Sequence, residues 1–96
     1  MNHMMLAKFK KEYSKKQISK MFVDIKNIYE NAKTIPGVHD VEYHVNCIDR
    51  ENRYDIFINI IMDKEALPLW DDCKWHKKWK TDYVHMLESK CIFDYE

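Results

Sequence analysis

The sequence predicts an α+β fold, a four-stranded antiparallel sheet with two helices on one face. Two observations carry this. Hydrophobic periodicity changes along the chain in the order strand, helix, strand, strand, helix, strand. Each helical stretch is apolar along one stripe only, so each covers one side of a sheet and leaves its other side to water. A length of 96 residues suits a single domain, 1–96.

The first strand alternates from the start: His3, Met5, Ala7 and Phe9 share one face, and Met4, Leu6 and Lys8 the other. Ser14-Lys15-Lys16-Gln17 has the form of a capping box. Ile18, Met21, Phe22, Ile25, Ile28, Tyr29 and Ala32 then recur at steps of three and four, which predicts a helix over 15–33. Ile35-Pro36-Gly37 ends it, because proline disfavours helix at the residue before it. Val41, Tyr43, Val45 and Cys47 mark the second strand. Tyr54, Ile56, Ile58, Ile60 and Met62 mark one face of the third, with Phe57 and Ile61 on its other face. Asp63 begins a short helical piece shaped by Pro68. Trp75, Trp79, Tyr83, Met86 and Leu87 form a second helical stripe that Ser89-Lys90 closes. Cys91-Ile92-Phe93-Asp94-Tyr95 is the last strand.

Composition excludes several function classes. Gly37 is the only glycine, so dinucleotide folds, P-loops and nucleophile elbows, which each need more than one, are out. Sixteen basic residues balance sixteen acidic ones, which gives no overall attraction to nucleic acid or an anionic membrane. No apolar run reaches the ~18 residues of a membrane span. Cys47, Cys73 and Cys91 are odd in number and contain no C-x-x-C pair. Reduced thiols and a cytoplasmic location are expected. Charge is segregated: residues 1–37 carry 8 lysines and 3 acids, +5, whereas residues 38–72 carry 3 basic residues and 9 acids, −6.

Two clusters resemble sites but read otherwise. Cys73 and His76 are three apart, which is half a zinc site at most, and His44 and Cys47 fall on opposite faces of a strand. No metal and no cofactor are expected. Trp75-His76-Lys77-Lys78-Trp79-Lys80 interleaves bases and aromatics, but the tryptophans belong to the apolar stripe and the lysines to the solvated face. His3 is different: a polar ring on the face of Met5 and Ala7 is placed to orient a ligand. The uncovered face keeps Met4, Leu6, Phe57 and Ile61. An apolar sheet face of that kind predicts a homodimer packed through Phe57 and Ile61.

The order β-α-β-β-α-β is ferredoxin-like. His3 to Lys10, Ile35-Pro36-Gly37-Val38 with Asp40-Val41, Asn52 to Asp55 and Ile92 to Glu96 together resemble, in sequence and spacing, the stress-responsive A/B-barrel (Dabb) family. The resemblance implies a homodimer whose two sheets close an eight-stranded barrel. It implies a cleft between helices and sheet, and in one plant branch a polyketide cyclase. That branch uses a histidine in an H-P-x-H stretch and a tyrosine six residues before its second histidine. Here the second histidine is His76, Cys73 and Lys74 replace the first histidine and the proline, and Trp70 takes the tyrosine position.

From that resemblance His76 is the candidate base and Asp94 its partner. Met5, Phe22, Ile25, Ile58 and Trp70 join His3 as the walls of a cleft for a small hydrophobic or aromatic molecule. The alternatives are a cofactor-free cyclase, isomerase or oxygenase using His76, and a structural homodimer whose cleft is plugged by Trp70 and Phe22.

Overall fold

The structure, a computed structural model, describes residues 1–96 and has four strands in one antiparallel sheet. Strand β1 spans Asn2–Phe9, β2 Val38–Val45, β3 Ile56–Met62 and β4 Leu87–Tyr95. Helix α1 spans Lys15–Glu30, α2 Leu67–Asp72 and α3 Lys74–Tyr83. The strand order is β2-β3-β1-β4, so the two strands that bracket the first helix are separated by β3. This is the ferredoxin-like arrangement expected from the sequence.

Local chemistry accounts for the first helix. The Ser14 hydroxyl accepts from the Gln17 N–H at 3.1 Å, and the Gln17 side chain accepts from the Ser14 N–H at 2.7 Å. The capping box satisfies two otherwise orphaned donors. Helix α1 stops three residues earlier than predicted, and Asn31–Thr34 tighten into a 3₁₀ turn. Gly37 then adopts φ 90°, the only left-handed residue in the chain. A Cβ there would lie 3.2 Å from the Ala66 Cβ.

The second half departs more from expectation. The predicted stripe through Met86 and Leu87 is not one helix: α3 ends at Tyr83, Val84–Met86 form a 3₁₀ turn, and Leu87 already belongs to β4. Ser89 and Lys90 lie inside the strand. The ladder explains this. β4 pairs with β1 along its whole length, from Phe9↔Leu87 to Asn2↔Tyr95, and the Lys10 N–H donates to the Met86 carbonyl at 3.0 Å. The third strand also begins later than predicted, at Ile56. Pro68 sits in the first turn of α2, where its missing N–H costs nothing.

Helices and sheet enclose a single core. Met5, Ala7 and Phe9 of β1, Ile56, Ile58, Ile60 and Met62 of β3, and Ile18, Phe22, Ile25, Ile28 and Tyr29 of α1 are buried together with Trp70 and Trp79. Alternation is strict: the even residues Met4 and Leu6 face the other way and stay half-buried. No helix is long and apolar enough to cross a membrane.

Candidate functional site: an imidazole cleft over an aromatic floor

The antiparallel register places His3 opposite Asp94 on the helix-covered face. Directly opposed side chains on neighbouring strands are close enough to interact, and His3 Nδ1 lies 2.5 Å from Asp94 Oδ1. A carboxylate accepts, so Nδ1 carries a proton, and Nε2 is the ring nitrogen left free of that bond. His3 is 9% exposed, so this pair sits at the edge of the core.

His76 approaches from α3. Its backbone N–H donates to the Cys73 sulfur, which caps the helix. Its Nδ1 lies 3.1 Å from the Asp71 carbonyl, which leaves Nε2 with the lone pair. Burial lowers its pKa from the ordinary histidine value, and the positive charges of Lys80 and Lys90 add to the effect against the opposing Asp71 carbonyl bond. His76 is therefore a neutral imidazole at physiological pH.

His3 and His76 line one cleft with Met5, Ile58, Trp70 and Ile92; Tyr29, Ile60, Trp79 and Lys90 complete it. Trp70 is 1% exposed. Its ring lies 5.2 Å from that of Tyr29 and 5.2 Å from that of His76, and Trp79 lies 5.6 Å from Tyr29. These aromatics fill most of the space, and the remaining cavity of about 10 Å³ has room for about one water.

Four of the expected wall residues, His3, Met5, Ile58 and Trp70, meet here with His76. Two expectations fail. Asp94 is not the partner of His76; it is held by His3, its cross-strand neighbour, while His76 turns to the Asp71 carbonyl. Phe22 and Ile25 do not line the cleft. Phe22 packs edge-on against Tyr43 of β2 at 6.3 Å, and Ile25 is in the core. Of the α1 stripe only Tyr29 reaches the cleft, and Ile60, Trp79, Lys90 and Ile92 line it without having been expected there. The signal for the last two was the alternation of β4 carried back from Asp94: Ile92 and Lys90 share its face.

No protein-family model matches the sequence, and no curated protein matches it. Solved structures do match. A Dabb family protein with a ferredoxin-like fold from Mesorhizobium loti superposes with a TM-score of 0.75 at 21% identity, over 99% of this chain and 93% of that one. A dimeric ferredoxin-like protein of unknown function from Jannaschia gives 0.76 at 17%, over 99% and 96%. The hydroxynitrile lyase of Passiflora edulis gives 0.72 at 14%, over 98% and 89%. The shared property is the fold.

Proposed function

We propose that this chain is a homodimer of the Dabb type, a single cytoplasmic domain that holds a small aromatic or apolar molecule at the cleft between helices and sheet. The observation that supports this is the convergence of two imidazoles with free Nε2 atoms, one of them braced by a carboxylate, above a floor of Trp70, Tyr29 and Trp79. An apolar pocket with a few convergent polar groups is the usual form of a small-molecule site. The dimer rests on the open apolar sheet face and on the dimeric state stated for a protein of the same fold.

A catalytic form of this reading uses the same atoms. His3 Nε2 takes a proton while Asp94 stabilises the imidazolium, and neutral His76 serves as the second base. No cofactor is needed for such a step. That one protein of this fold is a hydroxynitrile lyase supports the fold's capacity to house an enzyme.

A second reading is favoured by the cavity of about 10 Å³. On that reading the aromatics are the permanent filling of a structural homodimer. Titration with a panel of small phenols, aromatic aldehydes and aromatic carboxylates, followed by tryptophan fluorescence and by amide NMR shifts, separates the two. The ligand reading expects saturable shifts around Trp70 and His76 that weaken at least tenfold in H3A and H76A while the dimer persists. No saturable change with any compound at millimolar concentration leaves the structural homodimer.

A further inference from the structure

The outer face of the sheet carries one residue out of character with the rest. Asn59 is the middle residue of β3, pairing with Met4 on β1 and Glu42 on β2, at the centre of the face. Met4, Leu6, Phe57 and Ile61 surround it, and Phe93 stands 58% exposed on β4. Asn59 is 1% exposed. Its amide nitrogen donates to Asn2 Oδ1 at 2.9 Å and to Glu42 Oε1 at 3.1 Å, and His44 Nε2 lies 3.3 Å from the other Glu42 oxygen. A polar line thus crosses an apolar face from β1 through β3 to β2. The Asn59 Oδ1 is the only buried side-chain polar atom in the chain without a partner. An orphaned acceptor costs stability and returns none to the single chain.

We propose that Asn59 fixes how two copies of this chain fit face to face, as a polar pin that excludes other pairings. The inference rests on the homodimer of the preceding section. Four strands about 4.8 Å apart and about 25 Å long give a face of roughly 480 Å² per copy. Two such faces approach the roughly 1,000 Å² that a specific interface requires. The face is also complementary to itself. Phe93 and Tyr95 project from β4 on one side, and on the other side Leu6, Phe57, His44 and Arg53 line a hollow of about 310 Å³. Asn59 lies between projection and hollow, so a two-fold axis running past it seats each projection in the opposite hollow. Apolar contacts alone tolerate sliding and rotation of one sheet on another. A polar line set among them does not: Asn59, itself buried in the single chain, holds Glu42 in place beside His44, and any other alignment buries those two exposed side chains against hydrocarbon. A buried polar residue that costs stability and specifies one alignment is known from coiled coils.

The test labels Cys47, which is exposed two residues past the end of β2, in a C73S/C91S background, and measures the spin-label distance between the two copies. The unsubstituted face should give one narrow distance. Asn59→Val should raise the thermal midpoint of the dimer by about 4 °C or more and broaden the distribution into several distances. Asn59→Ser, which loses both amide donors but keeps the position polar, should broaden it too and carries the test if the valine variant precipitates. A single unchanged distance in the variants overturns the inference and leaves the homodimer standing. Broadening with a lowered midpoint also overturns it, since that reports a damaged fold. A chain with Asn59 intact that runs as a monomer overturns the homodimer itself.

Discussion

The two faces of the sheet are built from neighbouring residues of the same strands, yet they solve different problems. On the helix-covered face the side chains of the two central strands, β1 and β3, are buried by the chain itself, and the imidazoles there are answered: His3 by Asp94, His76 by the Asp71 carbonyl. On the outer face Met4, Leu6, Phe57 and Ile61 are only half-buried, and the one buried polar group retains an unmet acceptor. One face is closed within the single chain; the other stays open in it. Alternation in a strand decides which residues go to which face, but not how either face is completed.

The largest effect that would sharpen this contrast is on the finished face. Trp70→Ala should cost about 3–5 kcal/mol of folding stability, because a fully buried ring leaves a cavity that the packed helices cannot close. Urea denaturation measures it, and a loss below about 1 kcal/mol would break the picture of a closed aromatic floor. Phe57→Asp should act oppositely: little change in the folding of the single chain, but conversion of the homodimer to monomer, read as a halved mass in light scattering. If Phe57→Asp instead unfolds the chain, the outer face belongs to the core after all.

How much was legible follows the same division. The strands of the inner face, the capping box at Ser14 and the order of elements along the chain could be read because each rests on local periodicity or short-range hydrogen bonds. The end of α3 could not, because Met86 and Leu87 fit a helical stripe as well as a strand, and pairing with β1, distant in sequence, decides between them. Asp94 was assigned to the wrong imidazole for a related reason. Its choice of His3 depends on the register of two strands about ninety residues apart, and only the assembled sheet fixes that register. Nothing in the sequence alone sets Asn59 apart; its partners on the two flanking strands do.

Two smaller effects refine the inner face. Asp94→Asn should cost roughly 1 kcal/mol, since the carboxylate is partly exposed and solvent weakens the charge-assisted bond. It should also weaken any ligand that uses His3 Nε2, because the Asn side chain no longer enforces the tautomer. The smallest effect is titration of His76. Its folded-state pKa is lowered below 6.5 by burial first and by Lys80 and Lys90 next, so the unfolded chain binds the proton more readily. Stability should therefore hold above about pH 6.5 and decline as pH falls through the window just below it. His76→Gln should flatten that decline in a pH series of thermal midpoints, while an unchanged slope would show that His76 is more open to solvent than its packing against Trp70 indicates.

The pairing of Asn2 with Asn59 on one side of β1 and of His3 with Asp94 on the other carries a consequence for folding. Because both sides of β1 are apolar, a slip of one residue would exchange Met5 and Ala7 for Met4 and Leu6 and lose little hydrophobic burial. Greasy alternation is a poor proofreader in such a strand. The two consecutive polar residues act as keys cut on opposite edges of one blade: a slipped β1 would turn the imidazole away from its carboxylate and the amide away from its acceptors in the same step. Misaligned sheets are thereby rejected by polar chemistry, at the price of placing both keys within one turn of the same strand end.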